Sequence, residues 1–295
     1  MQPINKHGLV TKQTLTPDEI AEISRLIDIC NVHDGLRMRI GLDMLRERHG
    51  DETNDFLYYA DGQLVGYLEA DSYGRKDKEL VGMVHPDYRR QSIFTTLFTA
   101  AKEEFQRRGV QKLIFVCEHK SESGHAFPVT TGADYTYAEH EMWLGTFRER
   151  GRRSEGLSMR RADAVDIDTI VSLLATDSGN VDEVRVWVTE LMGKPAEYWL
   201  FLATLNGQPL GTVRLDFMEE VTGIYAFEVR LGYRGLGYGR EILEQLIHIA
   251  RAASNKPVML DVETGNTNAI GLYLSCGFEI KTTYDYYELN LESVV

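Results

Sequence analysis

Apolar positions in the C-terminal half of the chain repeat with two different periods. In one segment they return every three or four residues, which predicts a helix over about 239–253 with one apolar stripe. The stripe consists of Ile242, Leu243, Leu246, Ile247 and Ala250. Beyond Pro257 the apolar residues alternate, which predicts a strand with Leu260 and Val262 on one face. The other face then carries Met259, Asp261 and Glu263.

The segment before this helix has the pattern of two helices followed by three strands. The predicted helices cover about 164–175 and 182–192, and the predicted strands cover 199–205, 210–217 and 223–229. Asn206-Gly207 separates the first two strands and is typical of a tight hairpin turn. Helices, antiparallel strands, a long helix, a strand, a short helix and closing strands together indicate an α+β fold.

The chain repeats itself with one constant shift. Gly62, Gln63 and Gly66 recur 145 residues later as Gly207, Gln208 and Gly211. The same shift matches Tyr88-Arg89 with Tyr233-Arg234, Glu118 with Glu263, and Gly132 with Gly277. Because one register holds without insertions, we interpret the chain as an old duplication, with coincidence among common residues as the alternative.

The segment 147–156 lies between the two copies. It is dense in Arg, Glu and Gly and lacks periodicity, which is typical of an exposed linker. The predicted domains are therefore 1–150 and 151–295, with the boundary near Arg150. Each is expected to hold a mixed, mostly antiparallel sheet flanked by helices. A chain of 295 residues, 43% of them hydrophobic, is long enough for two such cores.

The chain is acidic, with a formal net charge of −13. This charge argues against a nucleic-acid partner and favours cationic small molecules such as amines. No apolar run reaches the roughly 18 residues that span a bilayer, and the N-terminus lacks the pattern of a signal peptide. We therefore expect a cytoplasmic protein with no membrane partner. Cys30, Cys117 and Cys276 have no metal-ligand spacing, so we expect reduced thiols and no metal.

A glycine-rich loop lies between the strand at 223–229 and the helix at 239–253. It reads Arg234-Gly235-Leu236-Gly237-Tyr238-Gly239-Arg240. Backbone N–H groups at a helix start carry partial positive charge, and glycines allow a phosphate to approach them closely. We therefore predict a pyrophosphate-binding loop supplemented by its two arginines. An ordinary tight turn is the alternative.

A dinucleotide-binding loop of the Rossmann type is a second alternative. Here too a strand, a loop and a helix are followed by acidic residues about 20 positions on. The Rossmann fingerprint requires a third glycine three residues after the second. Arg240 or Ile242 stands at that position, depending on which glycine pair is counted first. The fingerprint fails, and an antiparallel hairpin precedes the loop, so a nicotinamide cofactor is disfavoured.

The loop and its surroundings resemble the GNAT family of acyl-CoA N-acyltransferases. The family signature is Arg or Gln, two residues, Gly, one residue, and Gly or Ala, and Arg234, Gly237 and Gly239 match it. The resemblance extends to the preceding strand, Phe227-Glu228-Val229, and to a closing segment with Asn266, Ala269, Leu272, Tyr273 and Gly277-Phe278. The two-module layout is also similar, in architecture only, to mycothiol synthase, a tandem member whose C-terminal module is the active one.

The resemblance implies an acetyl-CoA site in the second copy. Pyrophosphate binding falls to the loop residues Arg234, Gly235, Leu236, Gly237, Tyr238, Gly239 and Arg240. Contacts to the pantetheine arm fall to Phe227, Glu228, Val229 and Asn266. Tyr273 takes the position of the acid that protonates the leaving thiolate, and Asp261 that of a carboxylate base.

The chemistry of acyl transfer calls for the same residue types. An amine arrives as ammonium and must lose a proton to a carboxylate, such as Asp261 or Glu228, or to a water that it polarises. A backbone N–H near Val229 would then stabilise the oxyanion. Structural roles stay open for three of the residues. Tyr273 lies on an apolar helical stripe, Asn266 precedes a helix that it could cap, and Asp261 is compatible with a solvated strand position.

The first copy has lost most of these residues. At the constant shift, Gly237, Gly239, Tyr273, Asn266, Asp261 and Glu228 correspond to Ser92, Phe94, Pro128, Ser121, Val116 and Met83. A phenylalanine in the loop obstructs a phosphate and proline cannot donate a proton, so we expect the first copy to be non-catalytic. Glu118 with Glu263 and Arg89 with Arg234 persist in both copies. Their persistence favours structural roles and ranks Glu263 behind Asp261 as the base.

These patterns predict an N-acetyltransferase that moves an acetyl group from acetyl-CoA to a primary amine by direct attack in a ternary complex. A non-enzymatic acyl-CoA sensor is the alternative from another class. The acceptor, a small-molecule or peptide amine, has no readable signature in the loops around 178–195 or in Asp285-Tyr286-Tyr287. The oligomeric state is also left open.

Overall fold

The structure is a computed structural model that describes residues 7–48, 50–71, 77–178, 180–194 and 196–291, without the side chains of 176–178. It divides into two compact units. Unit 1 comprises the described part of Met1–Glu139 and Thr282–Val295, and unit 2 that of His140–Lys281. Gly179 and Pro195, in the segment where we expected acceptor-selecting loops, lie outside the described residues.

Unit 1 begins with one strand and two helices, which are β1 (Gly8–Lys12), α1 (Pro17–Asp34) and α2 (Leu42–Glu47). Three antiparallel strands follow, which are β2 (Asp55–Ala60), β3 (Gln63–Asp71) and β4 (Asp77–Val84). The chain then forms α3 (Ile93–Arg107), β5 (Lys112–Glu118), α4 (Glu122–Thr131) and the first part of β6 (Asp134–Leu144). Strands β4 and β5 pair in parallel, which makes the sheet mixed.

Unit 2 repeats this order. It begins with β7 (Leu157–Arg161), α5 (Ile167–Ser178) and α6 (Val181–Met192). The antiparallel strands are β8 (Tyr198–Leu205), β9 (Gln208–Phe217) and β10 (Thr222–Val229). The remaining elements are α7 (Tyr238–Ala253), β11 (Val258–Glu263), α8 (Thr267–Cys276) and the first part of β12 (Phe278–Asn290). Strands β10 and β11 pair in parallel.

The strand that closes each sequence copy ends in the unit formed mainly by the other copy. Strand β12 closes the second copy, yet its residues from Thr282 onward belong to unit 1. There Tyr284 to Asn290 pair antiparallel with Glu118 to Lys112 of β5. Strand β6 closes the first copy, and its residues from His140 onward belong to unit 2. The division into 1–150 and 151–295 therefore describes the copies, and as a domain boundary it stays a prediction.

The two faces of the unit 2 sheet are covered by different helices. The predicted stripe on α7 is buried, with Ile242, Leu246 and Ile247 in one cluster with Leu260 and Val262 of β11. A second cluster joins α5 and α6 to β8, and its buried members are Ile170, Val171, Leu173, Val188, Leu200 and Leu202. The alternation predicted for β11 therefore directs Leu260 and Val262 towards α7, and Asp261 towards the opposite face of the sheet.

The hairpin turn predicted at Asn206-Gly207 is present. Asn206 and Gly207 both have positive φ, 51° and 78°, between the paired residues Leu205 and Gln208. These values suit the two-residue hairpin that Asn-Gly favours. In unit 1 the equivalent Asp61 and Gly62 have φ of 49° and 81°. The same local chemistry thus forms the same turn in both copies.

The predicted fold class is confirmed. Each unit has a mixed, mostly antiparallel sheet flanked by helices. The first predicted helix of the second copy starts with a 3-10 turn, Ala164–Asp166, before α5 begins. All three cysteines are buried as free thiols. Among the described residues, no helix has the length and apolar character needed to cross a bilayer.

Candidate functional site

The site in unit 2 begins where two parallel strands stop pairing. Strands β10 and β11 pair over three positions, from Thr222 opposite Val258 to Ile224 opposite Leu260. The predicted pantetheine-binding residues 227–229 and the candidate base Asp261 lie beyond that paired stretch. Main-chain groups of adjacent strands that no longer bond each other can bond a ligand placed between them.

A β-bulge interrupts β10 at the same place. Tyr225 pairs with Arg214 of β9 and Glu228 with Thr212, so Ala226 and Phe227 together oppose one residue. Ala226 has φ of +49°, a left-handed conformation that alanine rarely adopts. Bulges re-aim backbone groups next to active sites. In unit 1 the corresponding strand β4 pairs with β3 in continuous register from Val84 to Glu79.

The glycine-rich loop connects β10 to α7 through a 3-10 turn, Leu231–Tyr233. Gly235 and Gly237 have φ of 76° and 91°, so both need the left-handed region that glycine enters at no steric cost. Gly237 is the N-cap of α7 and has no side chain with which to cap the helix. The first intrahelical bond runs from Glu241 N to Gly237 O. The first amides of α7 therefore have no side-chain cap at Gly237, and their predicted contact with a phosphate stays a prediction.

The two loop arginines have other partners. Arg234 donates from Nε to the carbonyl oxygen of Val229 at 2.7 Å and forms an ion pair with Glu228. Arg240 donates to Glu244 at 2.7 Å and to the carbonyl oxygen of Arg148 at 2.7 Å. Both guanidinium groups brace the backbone around the loop, so their predicted contacts with phosphate stay predictions.

Arg152 is a functional candidate that the sequence patterns did not single out. Its Nη1 donates to the carbonyl oxygen of Leu236 at 3.0 Å, and its guanidinium carbon lies 5.9 Å from the ring centroid of Tyr238. A Cβ atom on Gly237 would lie 2.7 Å from the same Nη1. The guanidinium therefore rests directly on the loop, which places a positive charge beside the α7 amides.

Two buried glutamates of α7 fix the segment that carries Arg152. Glu244, 1% exposed, accepts hydrogen bonds from the amides of Arg150 and Gly151 at 2.9 and 3.2 Å. Glu241 accepts one from the amide of Ser154 at 2.7 Å. Side chains of 147–156 are largely exposed, as expected for a linker, but the main chain is fastened to α7. Glutamates among the apolar positions of α7 were the sequence signal for this contact.

Tyr273 of α8 is 7% exposed and belongs to the main apolar cluster of unit 2. Its ring packs edge-on against Phe278, with centroids 5.9 Å apart. Burial, and secondarily the charge of Glu228, raises the pKa of Tyr273 to about 12. The phenol is therefore protonated across the physiological pH range and can donate a hydrogen bond or a proton. Packing and acid chemistry are compatible at this position.

The carboxylates and the asparagine occupy different environments. Glu228 is partly buried and paired with Arg234. Asp261 is partly buried on the sheet face opposite α7, whereas Glu263, two residues further on that face, is exposed. Asn266 caps α8, because its side chain accepts a hydrogen bond from the amide of Ala269 at 3.1 Å. The capping role left open for Asn266 is therefore real, and its cofactor contact stays a prediction.

Unit 1 keeps the backbone of the loop without its glycines. Arg90 and Ser92, the counterparts of Gly235 and Gly237, have φ of 62° and 60°. Arg89 donates from Nε to the carbonyl oxygen of Val84 at 3.1 Å, as Arg234 does in unit 2. A cavity of about 410 Å³ adjoins this loop between β4 and β5. The hydrogen bond from Arg89 to Val84 fits the structural role that we expected for Arg89.

Phe94 in unit 1 fills a space that Phe227 fills from the neighbouring strand in unit 2. A Cβ atom on Gly82 of β4 would lie 2.7 Å from Phe94 Cε2. In unit 2 the strand position holds Phe227 and the helix position holds Gly239, whose added Cβ would lie 3.9 Å from Phe227 Cζ. The copies have exchanged a large and a small residue across one contact, which conserves its volume. Loss of catalysis in the first copy therefore stays a prediction that rests on the missing acid and base.

A family model and several relatives match the chain. The model described as Acetyltransferase (GNAT) family matches residues 25–127 and again 167–278. A mycothiol acetyltransferase of Thermomonospora curvata is 26% identical over 294 residues, covering 93% of this chain and 95% of that protein. A mycothiol acetyltransferase of Geodermatophilus obscurus is 27% identical over 290 residues, covering 90% and 92%.

Solved structures share the fold at low sequence identity. The GCN5-related N-acetyltransferase from Sphaerobacter thermophilus has a TM-score of 0.79 at 19% identity, covering 96% of this chain and 95% of that one. A tandem GNAT protein from the clavulanic acid biosynthesis pathway has a TM-score of 0.71 at 16% identity, covering 96% and 98%. At these identities the likeness concerns the fold.

Proposed function

Because the chain belongs to the GNAT family of acetyltransferases, we propose that it is an N-acetyltransferase whose catalytic unit is unit 2. The observation that carries this proposal is the combination of a β-bulge in β10 with a glycine-lined helix start directly after it. Unit 1 has the loop conformation but continuous pairing along β4. The bulge thus favours unit 2 as the place where a thioester arm bonds the backbone.

Acetyl-CoA, the co-substrate of GNAT acetyltransferases, fits this arrangement as the acetyl donor. Its pyrophosphate would lie on the amides of the 235–240 loop, where the helix dipole favours negative charge. The guanidinium of Arg152 would add a charge-assisted contact to the same phosphates. The pantetheine arm would pair with the backbone of 227–229, whose bulge leaves groups out of the ladder. A pantetheine arm that lay between β10 and Asn266 would direct the thioester towards Tyr273.

The reaction is a direct attack of the amine on the thioester carbonyl carbon. Asp261 takes a proton from the ammonium, itself or through a water, and the free amine then forms the new C–N bond. The tetrahedral oxyanion collapses, the C–S bond breaks, and Tyr273 donates its proton to the departing thiolate. The nitrogen of the new amide loses its second proton to solvent, and the Tyr273 phenolate takes a proton back from solvent. We assign the base to Asp261, whereas Glu228 forms an ion pair with Arg234 of the loop.

A small-molecule amine is the proposed acceptor. The relatives that match most of this chain are mycothiol acetyltransferases. The excess of acidic residues, with a formal net charge of −13, is compatible with an acceptor that arrives as a cation. The relatives' own acceptor is the natural first member of a substrate panel, beside amino sugars and simple primary amines.

Amine-dependent release of CoA thiol from acetyl-CoA, followed with a thiol reagent on the full chain, tests the proposal. At least one amine should raise the release rate above hydrolysis. Asp261→Asn should lower that rate about 10²- to 10⁴-fold, the usual contribution of general-base catalysis. Glu263→Gln, on the same strand face, is the matched control and should keep the rate. Binding of acetyl-CoA with no amine-dependent release would favour a non-enzymatic sensor instead.

A further inference from the structure

A cluster of two histidines and one aspartate lies in unit 1, outside the acetyl-transfer site. Asp285 of β12 is 4% exposed, and it pairs across the sheet with Cys117 of β5. Its Oδ2 lies 2.7 Å from His119 Nδ1 and 3.6 Å from His125 Nε2. One ligand atom from each of the three side chains lies within 4.8 Å of the other two.

The burial of Asp285 requires a nearby positive charge. A carboxylate removed from water is strongly disfavoured unless it is paired or coordinates a metal. In the described part of the chain its ion-pair partners are the two imidazoles, which carry charge only when protonated. A divalent cation between the three side chains would neutralise the buried carboxylate and use both imidazoles in their neutral form.

The donor set and its surroundings match a transition metal. Two imidazole nitrogens and one carboxylate oxygen are ligands typical of zinc, with ideal ligand distances near 2 Å. In a tetrahedral site such ligands would lie roughly 3.3 Å apart, and the distances of Asp285 Oδ2 from the two imidazole nitrogens, 2.7 and 3.6 Å, lie on either side of that value. His119 is 66% exposed and therefore free to adjust.

Tyr287 orients the second histidine. Its hydroxyl lies 2.9 Å from His125 Nδ1, on the opposite side of the ring from the nitrogen that faces Asp285. His125 Nε2 also lies 2.8 Å from the carbonyl oxygen of His119, a hydrogen bond that a metal would replace. The proton would then move to Nδ1, which donates to the Tyr287 oxygen. Such outer partners hold a metal-binding imidazole in the required tautomer.

The cluster is specific to unit 1. At the constant shift of 145 residues, His119 and His125 correspond to Thr264 and Ile270, which offer no imidazole. The third member comes from the far end of the chain, 166 residues after His119. We propose that His119, His125 and Asp285 bind a zinc-class divalent metal ion that ties β12 to α4 and to the β5–α4 connection of unit 1.

Titration of the metal-stripped full chain with ZnCl₂ in a calorimeter tests this site. One ion should bind per chain, and substitution with Co²⁺ should give the visible absorption of a tetrahedral site. His119→Ala should abolish both signals while the protein stays folded, because this side chain is mostly exposed. Tyr287→Phe should weaken binding about 10- to 100-fold, as loss of an outer partner does.

His33→Ala is the matched control. His33 is also an exposed histidine hydrogen-bonded to an aspartate, with its Nδ1 2.7 Å from Asp34 Oδ1, but it belongs to no three-residue cluster in the described chain. The His33→Ala variant should bind zinc as tightly as the unchanged protein. The proposal is overturned if zinc fails to bind at micromolar concentration, or if His119→Ala binds it as well as the unchanged protein. Either result would leave a hydrogen-bonded network only.

Discussion

The side chain of Arg152 donates a hydrogen bond of 3.0 Å to the carbonyl oxygen of Leu236, in the middle of the glycine-rich loop. Arg152 belongs to a segment that the sequence presents as a linker, 84 residues before its partner. The contact exists because buried Glu241 and Glu244 bind the amides of that segment. A connection between the copies thus becomes part of the proposed cofactor site.

Arg152→Ala should weaken acetyl-CoA binding about tenfold, since a lost charge-assisted hydrogen bond at this exposed site costs on the order of 1.4 kcal/mol. Calorimetry at low and high ionic strength checks this, and the difference between variants should shrink with salt. Arg153→Ala is the control, because Arg153 is 52% exposed and directed to Glu149. Equal losses in both variants would show a general charge effect instead.

Tyr273→Phe should lower kcat about 10²- to 10⁴-fold and leave the Kd for acetyl-CoA nearly unchanged. The phenylalanine retains the packing against Phe278 but has no proton for the leaving thiolate. Because the pKa of Tyr273 is raised to about 12, the unchanged enzyme should show no loss of activity from this acid up to about pH 10. Steady-state kinetics with Tyr198→Phe as control measures both effects. An unaltered kcat would assign Tyr273 to packing alone.

Opposite substitutions at the equivalent positions 92 and 237 should change the free energy of unfolding in opposite directions. Ser92→Gly should stabilise the protein by about 1 kcal/mol, because Ser92 holds φ of 60° where glycine has no steric penalty. Gly237→Ser should destabilise it by a similar amount and also weaken acetyl-CoA binding, since its Cβ would meet Arg152. Chemical denaturation and calorimetry measure the pair. Changes of the same sign in both variants would contradict this account of the loop.

Glu69 should make unit 1 less stable as pH rises. Arg48 is shared by two buried carboxylates, with Nη1 2.9 Å from Asp55 and Nη2 3.3 Å from Glu69. One guanidinium cannot neutralise both, and burial raises the pKa of Glu69 to about 8. The folded pKa lies above the unfolded one, so the stabilising contribution is complete below about pH 4.5 and is lost as pH rises through 8.

The neutral variant Glu69→Gln should remove this dependence. The melting temperature of the unchanged protein should fall between pH 5 and 9, whereas that of Glu69→Gln should vary less over the same range. Differential scanning calorimetry across this range provides the comparison. Glu52→Gln, at a 59% exposed position, should follow the unchanged protein. If the melting temperatures of all three proteins changed in parallel with pH, a group other than Glu69 would be responsible for the dependence.

Much of the fold was predictable because its signals are local. The stripe on α7, the alternation in β11 and the Asn206-Gly207 turn depend on residues a few positions apart. The repeat extended these predictions to the first copy. The glycine pattern at 235–239 likewise indicated a loop directly before a helix, and α7 begins at Tyr238.

The candidate site was only partly predictable. The sequence indicated which residues of the second copy differ from the first, but it could not show that Arg234 and Arg240 brace the backbone. It also suggested that Phe94 would obstruct a phosphate in the first copy, which stays a prediction, but it could not show that Phe94 fills the space beside Gly82. Side-chain direction and compensating volume depend on contacts across the sheet, which a linear pattern does not contain.

The sequence by itself determined the element order, the duplication and the position of the glycine-rich loop before α7, because periodicity and glycine content act over short distances along the chain. Only the tertiary structure decided three other features. It assigned the later part of β6 to unit 2 and the later part of β12 to unit 1, placed Arg152 against the glycine-rich loop, and brought His119 within hydrogen-bond distance of Asp285, 166 residues away. Each depends on pairing between distant segments, and that choice is made by burial and hydrogen bonding in the folded chain rather than by local propensity.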